Sequence, residues 1–458
     1  MDDTLVFKNV LFFVSGSTGS GKSSLAVLLA EKLKEQGYEQ VVIINCDVSQ
    51  FYFDLPIATN KVKQTDMKGI KHTFLGFLSA DDAFVREPEE SYIGSDQPQS
   101  AETDKEKVYF DGIHCYVNRV CKYINNLFAH AEKTAAILCG GTCYYIQSIL
   151  IENMLVGSEN IDVCDDVEDK DLWHHVNLVD PEIASRYHPN DTRRLRRLLD
   201  IYRSSGKRPT ELYEETKRFR FDPRTCFFIW AFRSLDALYP LLDKRVDEMV
   251  SQGLVEEVKQ FFHQHQNDVR KTSIFEAIGV KEFLDAWQSD ETSRQRDAAV
   301  VKAIESIKAH TRHYASKQVR WLTNRLPPLL VGASYKESIF DFGSRYVKMD
   351  LDTDVSGSVE RRLDGLLTFF LHKNQSELLK DTVEFPLMEA RKNTTPVTQE
   401  HCSLCDFVVY GRDQMSLHLN SKRHRGALKR QHLEKSHLEQ FGVPVPPRKK
   451  HKNDENKS

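Results

Sequence analysis

The sequence has no apolar run long enough to cross a membrane, and its few cysteines do not form a disulfide framework. The 458 residues include nine cysteines, which are scattered except for Cys402 and Cys405. This indicates a reducing compartment, since small secreted domains carry cysteines densely. Met1 to Thr4 are acidic and lack the arginine-rich pattern of a mitochondrial leader. We therefore expect a cytoplasmic protein with no membrane partner, and a mitochondrial isoform is not supported by this N-terminus.

A strong charge of one sign is also missing, since the net charge is −4, but the distribution is uneven. Acidic residues concentrate between Asp81 and Glu106, and basic residues between Lys422 and Arg430 and between Pro446 and Lys452. The basic C-terminal part favours a nucleic-acid partner. Two interpretations of Pro446 to Lys452 stay open, a nuclear import signal and a basic end without a partner.

A glycine-rich stretch lies between the apolar run Leu11 to Val14 and the helical pattern Ser24 to Ala30. It matches G-x-x-x-x-G-K-[ST] with Gly16, Ser17, Thr18, Gly19, Ser20, Gly21, Lys22 and Ser23. In such a loop, backbone N–H groups and a helix N-terminus surround phosphate, the lysine adds a positive charge, and the last hydroxyl binds Mg²⁺. The motif predicts binding of a diphosphate, whichever molecule carries it.

Two further apolar runs are followed by side chains that suit a binding site. Gln40 to Asn45 precedes Asp47, and Ala135 to Cys139 precedes Gly140, Gly141 and Thr142. Runs that are apolar on both faces indicate buried parallel strands, and ligands bind at the carboxyl ends of such strands. With Phe227 to Phe232 as another strand, the predicted fold class is α/β, a P-loop NTPase-like parallel sheet flanked by helices.

Helical periodicity predicts two long segments in the second half of the chain. One runs from Leu235 to Phe262 with an interruption at Gly253, and the other runs from about Arg296 to Trp321 and is ended by Pro327 and Pro328. Val176 to Val179 is predicted to be a short strand, and Asp191 to open a helix rich in arginine.

The C-terminal part carries Cys402-x2-Cys405-x12-His418-x5-His424. Two thiolates and two imidazoles are the four tetrahedral ligands of a structural Zn²⁺ site. The spacing therefore predicts a small zinc finger that folds only with its metal.

The combined motifs resemble the tRNA isopentenyltransferases, also called tRNA dimethylallyltransferases, in the eukaryotic form with a C-terminal finger. The P-loop, the two strand ends and several later motifs match in family order over roughly residues 10 to 325, and the finger extends the match. The matching segments are Gly16 to Ser23, Asn45 to Tyr52, Leu55 to Ile57 with Thr59 to Lys61, Gly140 to Thr142 with Tyr144 and Tyr145, His188 to Asp191 with Arg193 and Arg194, Ala277 to Gly279 with Lys281 and Glu282, and Thr311 and Arg312 with Tyr314, Ala315, Lys317, Gln318 and Trp321.

The resemblance implies transfer of a dimethylallyl group from dimethylallyl diphosphate to N6 of the adenosine immediately 3′ of the tRNA anticodon. By this resemblance Asp47 is the general base, Thr142 hydrogen-bonds near the reacting centre and Arg312 stabilises the departing diphosphate with Mg²⁺. The tRNA contacts implied or suggested by position are Ser49, Gln50, Arg193, Arg194, Arg197, Lys317, Gln318 and Arg320.

Two positions depart from the family pattern. Val48 stands where the family has serine directly after the aspartate, and Thr73 follows His72 where the family has a second histidine. The first change is expected to loosen hydrogen bonding around Asp47. Neither change removes Asp47, the glycine-rich loop or Arg312.

The predicted order of domains is a P-loop prenyltransferase core over residues 8–325, an extension packing on it over 326–392, a finger over 400–430 and a basic disordered tail over 431–458. The core includes a helical tRNA-binding part at about 185–290. The finger resembles the matrin and U1-type RNA fingers. One chain supplies every matched residue, so a monomer is expected.

Two other functions remain possible from the residues alone. A P-loop kinase would use Lys22, Ser23 and Asp47 with ATP, but would leave the glycine pair before Thr142 and the finger without a role. A non-catalytic RNA-binding protein would use a decayed P-loop domain as a scaffold. Against this, decay would be expected to lose some site residues, whereas all of the following are present: Gly21, Lys22, Ser23, Asp47, Thr142 and Arg312.

Overall fold

The computed structural model describes most of the chain and divides it into two units. The described residues are 7–92, 108–130, 132–152, 154–155, 167–214, 217–265, 273–288, 293–335, 338–339, 345–352, 357–371, 399–405, 407–410 and 414–441. The larger unit comprises Met1–Leu155 and Glu215–Arg391, and the smaller comprises Val156–Glu214 and Lys392–Ser458.

The described strands and helices follow one another along the chain. The strands are β1 Asn9–Gly16, β2 Gln40–Asn45, β3 Lys71–Thr73, β4 Thr134–Gly140, β5 Ile151–Glu152, β6 Arg218–Phe219, β7 Cys226–Phe232, β8 Ser334–Tyr335, β9 Ser338–Ile339, β10 Tyr346–Asp350, β11 Gln399–Cys402 and β12 Phe407–Tyr410. The helices are α1 Lys22–Glu35, α2 Gly112–Ala129, α3 Cys143–Leu150, α4 Leu172–Val179, α5 Pro181–Ala184, α6 Thr192–Ser205, α7 Pro209–Glu214, α8 Leu235–Ser251, α9 Leu254–Gln264, α10 Leu284–Gln288, α11 Ser293–Asn324, α12 Leu326–Gly332, α13 Ser358–Leu371, α14 Gln414–Leu419 and α15 Lys422–Phe441.

A six-stranded sheet in the order β10-β7-β1-β4-β2-β3 forms the centre of the larger unit. Each of its neighbouring strand pairs is parallel. Alternate residues of β1 enter different cores: Leu11 and Phe13 pack with α2, α3, α8, α9 and α11, while Phe12 packs with α1 and α13. Both faces are covered, which explains why the strands are apolar throughout. The predicted α/β fold class is confirmed.

The two long helical segments are also confirmed. The first consists of α8 and α9, separated at Gly253, which has φ of +105° and precedes α9. The second is α11, which ends at Asn324, and Pro327 and Pro328 lie in the next helix, α12. Proline is tolerated in a first helical turn, because those N–H groups have no intrahelical acceptor.

The strand predicted at Val176 to Val179 is wrong, because these residues form the end of α4. Leu172 and Val176 lie one helical turn apart and are both buried in the core of the smaller unit. A window of four apolar residues does not distinguish a strand from a helix segment. The chain turns at Asp180, whose carboxylate accepts the backbone N–H of Ile183 at 3.1 Å and caps α5.

The finger comprises β11, β12, α14 and α15. α15 continues to Phe441, so residues 431–441, assigned from the sequence to a disordered tail, are helical. Lysine, arginine, glutamine and leucine favour helix, and no proline occurs between Lys422 and Val443. The tail beyond 441, with the basic segment Pro446 to Lys452, lies outside the described residues. Within the described ranges, no helix combines the length and the apolar character needed to cross a bilayer.

Candidate active site

The glycine-rich loop between β1 and α1 forms part of the wall of a cavity of about 660 Å³ in the larger unit. Gly21 precedes α1 with φ of +92°, a left-handed conformation that disfavours a side chain. Thr18, Gly19, Lys22 and Ser23 line the cavity with it. Because the first N–H groups of a helix have no intrahelical acceptor, this end of α1 suits an anion.

Three residues of the predicted cradle, Gly16, Ser17 and Ser20, are not among those lining the cavity. Ser17 and Ser20 are buried, and the carbonyl oxygen of Ser17 accepts a hydrogen bond from Lys22 Nζ at 3.1 Å. Ser20 Oγ is buried without a hydrogen-bond partner among the described residues. These residues therefore shape the loop and position its lysine.

Asp47 lies two residues beyond β2, at the carboxyl edge of the sheet, and lines the cavity. Its Oδ1 accepts a hydrogen bond from Ser49 Oγ at 2.8 Å, and its backbone N–H donates to Asn45 Oδ1 at 3.2 Å. A Cβ placed on Gly141 would lie 3.5 Å from Asp47 Oδ2 and 3.6 Å from Lys22 Nζ. The carboxylate and the P-loop cation therefore approach the same backbone position.

Arg245 of α8 is a second cation of the cavity, and the sequence analysis did not find it. Its Nη2 donates to Thr18 Oγ1 at 3.0 Å, and its Nε is buried without a partner among the described residues. Burial lowers the pKa of Arg245 and of Lys22, while the Asp47 carboxylate acts in the opposite direction on both. Two poorly solvated cations beside one carboxylate suit a ligand with several negative charges.

Thr142 lies two residues beyond β4, which ends at Gly140, and it lines the cavity. Its Oγ1 accepts the backbone N–H of Val48 at 3.2 Å. The side chain at position 48 is not needed for this bond, and the hydroxyl that contacts Asp47 comes from Ser49. The Val48 departure therefore leaves Asp47 with a hydroxyl partner.

The structure does not place Arg312 in the cavity lining. Its Nη1 is paired with Asp243 Oδ1, and both side chains are about one-third exposed to solvent. Its neighbours Thr311 and Tyr314 on α11 line the cavity instead. Successive helical residues point in different directions, and the arginine that lines the cavity is Arg245 of α8 rather than Arg312.

Gln318 is also placed differently from the prediction of a tRNA contact. Its side chain is buried, and its two amide atoms hydrogen-bond to the backbone of Gly141 and of Thr18. Lys317 and Arg320 on the same helix are exposed, as the phosphate contacts predicted for them require.

Gln50 faces a loop that carries part of the cavity wall. Its Nε2 donates to the carbonyl oxygens of Thr59 at 3.2 Å and Asn60 at 3.0 Å. Because both loop residues and Gln50 line the cavity, the loop orients the Gln50 amide at the cavity surface.

Lys61 lies buried in the same loop and was not recognised as a titrating group. Its Nζ donates to the carbonyl oxygen of Asp54 and to Thr59 Oγ1, both at 2.8 Å. Burial lowers the pKa of Lys61 to about 7, although Glu257 and Asp54 raise it. Glu257 of α9 accepts two backbone N–H groups of the loop at 2.8 Å each. The loop is therefore held by the buried Lys61 from within and by the partly buried Glu257 of α9.

One part of the cavity is apolar. Its side chains come from α8, α9, α11 and the segment around 274–278 and include Val246, Met249, Leu254, Ile274 and Ile307. A hydrocarbon group is favoured there because it is removed from water. The cavity thus combines an anion cradle, a carboxylate and an apolar region.

The smaller unit presents the predicted arginines on α6. Arg193 and Arg194 are exposed and Arg197 is partly buried, and Arg194 Nη1 donates to Asp191 Oδ2 at 2.7 Å. The interaction with Asp191 is solvent-exposed and therefore weak. A phosphate group could replace it at small cost.

The predicted metal ligands are brought together in the smaller unit. One ligand atom each from Cys402, Cys405, His418 and His424 lies within 4.8 Å of the others. His424 Nδ1 lies 3.4 Å from Cys402 Sγ and 3.5 Å from Cys405 Sγ. Two sulfurs and two imidazoles at this separation fit a tetrahedral metal site.

Comparison with known proteins adds sequence and fold relatives. A protein-family model described as IPP transferase matches residues 111–325. The tRNA dimethylallyltransferase of Saccharomyces cerevisiae is 27% identical over 441 residues and covers 91% of each chain. That of Homo sapiens is 29% identical over 454 residues, covering 92% of this chain and 86% of the human one. A crystal structure of a eukaryotic dimethylallyltransferase acting on tRNA has a TM-score of 0.65 at 24% identity, covering 95% of this chain and all of that one.

Proposed function

Because the chain belongs to the IPP transferase family, we infer that it acts as a tRNA dimethylallyltransferase. Its reaction moves a dimethylallyl group from dimethylallyl diphosphate to N6 of the adenosine immediately 3′ of the anticodon. The observation that carries this function is the convergence of Asp47, Lys22 and Arg245 on one cavity with an apolar region. A P-loop kinase would use Lys22 and Asp47 but gives no role to the apolar region, and a passive RNA scaffold gives no role to the combination.

Asp47 is proposed as the general base. An exocyclic adenine amine is a weak nucleophile, so its proton must be accepted as the N6 lone pair forms a bond to C1 of the allyl group. The hydrogen bond from Ser49 fixes the orientation of the carboxylate. Thr142 holds the backbone of the residue after the base and so keeps Asp47 at the cavity.

The diphosphate leaves with the electrons of the broken C1–O bond, and the P-loop, Lys22 and Arg245 are proposed to stabilise it. Fixed donors directed at developing charge are a large source of rate enhancement. Ser23 lines the cavity beside Lys22 and suits a Mg²⁺ ion, which when bound supplies further positive charge to the diphosphate. Arg312 is proposed to act indirectly, through Asp243 on the same helix as Arg245.

The adenosine is proposed to leave the anticodon stack and enter the cavity, since a stacked base cannot reach a carboxylate at its wall. Ser49 and Gln50 stand at the cavity surface beside Asp47. Arg193, Arg194 and Arg197, with Lys317 and Arg320, are proposed phosphate contacts on the anticodon stem-loop.

The Cys₂His₂ cluster is proposed to hold Zn²⁺ and to form an RNA-binding finger. The basic helix α15, which begins at Lys422 and contains the ligand His424, supplies positive charge for the RNA backbone. We further propose that the protein is a monomer, that it acts in the cytoplasm, and that the basic tail directs import into the nucleus. We also propose that the chain is divided into a core, an extension and a finger.

The function is tested with an anticodon stem-loop that carries adenosine 3′ of the anticodon, Mg²⁺, and either dimethylallyl diphosphate or ATP. Mass spectrometry is expected to show one added five-carbon unit on that adenosine with the allylic donor only. ATP hydrolysis or phosphate transfer without prenyl transfer would support a kinase instead. Tight RNA binding without either reaction would support a scaffold.

A further inference from the structure

Gln318 joins two loops of the active site through the two ends of its side-chain amide. Its Nε2 donates to the carbonyl oxygen of Gly141 at 2.8 Å, and its Oε1 accepts the backbone N–H of Thr18 at 2.8 Å. Only 4% of the residue is exposed. The first loop follows β4 and the second is the P-loop, so one side chain of α11 connects the ends of two neighbouring strands.

The two loops border the groups that must meet during transfer. Thr18 belongs to the P-loop and also accepts a hydrogen bond from Arg245, so both its N–H and its hydroxyl are fixed. Gly141 lies next to the base and the P-loop cation, since a Cβ on it would lie within 3.6 Å of both Asp47 Oδ2 and Lys22 Nζ. Thr142, directly after Gly141, accepts the backbone N–H of Val48, so the Gly141 loop also holds the segment that carries Asp47. The spacing of the two loops therefore affects the distance between the diphosphate cradle and the carboxylate.

An amide suits this connection because it is a donor at one end and an acceptor at the other. A carboxylate would turn an oxygen towards the Gly141 carbonyl, and an aliphatic chain would leave both backbone groups without the bond. Tyr314, one helical turn earlier on α11, lines the cavity beside these loops.

We propose that Gln318 is a positioning residue for the prenyl transfer, which holds the P-loop and the Gly141 loop at the spacing where the allyl donor meets the attacking amine. The proposal rests on the proposed function and replaces the tRNA contact predicted for this residue. A misplacement of about 1 Å at a reacting centre can cost about 100-fold in rate.

The first test is the kinetics of Gln318→Met and Gln318→Glu, with His313→Gln, an exposed residue of the same helix, as the control. We expect kcat to fall by about 10- to 100-fold in both variants, while KM for the stem-loop changes by less than about twofold. A raised KM for RNA with unchanged kcat would overturn the proposal in favour of a tRNA contact. Unchanged kinetics would also overturn it, whereas an inactive wild type would refute the proposed function itself.

The second test separates positioning from a loss of folding. A Cβ on Gly141 would lie 2.6 Å from Gln318 Nε2, but its other neighbours stand at 3.5 and 3.6 Å. Gly141→Ala should therefore lower kcat strongly in the wild type and by less than about threefold in a Gln318→Ala background, because the clash is gone. Equal losses in both backgrounds, or losses that match the unfolded fraction measured by circular dichroism, would refute the positioning role.

Discussion

Arg245 and Arg312 are the two candidates for the arginine that stabilises the departing diphosphate, and replacing each by glutamine distinguishes them. Arg245 lines the cavity, donates to Thr18 and has a buried Nε without a partner in the described part of the chain. Arg312 is paired with Asp243 at a site where both side chains are about one-third exposed. Geometry therefore predicts that Arg245→Gln impairs transfer and Arg312→Gln does so only weakly.

The magnitudes follow from the two environments. Two unit charges about 4 Å apart interact with an energy of about 4 kcal/mol at the effective dielectric of a partly buried site. Loss of one donor to developing charge usually costs about 100- to 1,000-fold in kcat, or about 3–4 kcal/mol. An exposed ion pair such as that of Arg312 is worth about 0–1 kcal/mol, so Arg312→Gln should change kcat by less than about fivefold.

The assay is steady-state prenyl transfer to the stem-loop at saturating RNA, with the donor concentration varied. Arg245→Lys is the matched control, because it keeps the charge but loses the planar guanidinium, and it should retain intermediate activity. The reasoning is refuted if Arg312→Gln loses about 100-fold while Arg245→Gln stays within about fivefold of the wild type.

Three further predictions follow from the same structure. Asp47→Asn should reduce transfer by at least about 100-fold with unchanged stem-loop affinity by filter binding, and wild-type turnover would exclude Asp47 as the base. Chelation of Zn²⁺ should unfold the finger around Cys402 to His424, seen as collapsed NMR shift dispersion, whereas an unchanged spectrum would contradict a structural metal. Burial lowers the pKa of Lys61 from 10.5 to about 7, so between these values the unfolded chain binds more protons than the folded one and the free energy of unfolding rises with pH. Urea titrations should show that the free energy of unfolding of the wild type rises with pH by at most about 5 kcal/mol through Lys61, and that Lys61→Met removes this rise. An equal rise in both proteins would exclude Lys61 as its origin.

Features that depend on nearby residues were predictable from the sequence. The glycine-rich loop, the strands β1, β2, β4 and β7, and the break at Gly253 appear where the patterns place them. Each depends on burial periodicity or on a local backbone requirement. The helix at Val176 to Val179 was missed because four residues do not define a period.

Short motifs of fixed spacing predicted the glycine-rich loop, the carboxylate after β2 and the four candidate metal ligands, because the chemistry of each lies in residues close together in the chain. The packing of distant helices brings further side chains to the cavity, and no short motif encodes that packing. Arg245 and Gln318 meet Thr18 from 227 and 300 residues away. No local pattern marks Arg245, and the motif that includes Gln318 does not show which loops its amide contacts. The packing of α8 and α11 against the sheet brings them there. The direction in which a residue points from its helix decides that Gln318 is buried while Lys317 is exposed, and that Arg245 lines the cavity while Arg312 does not.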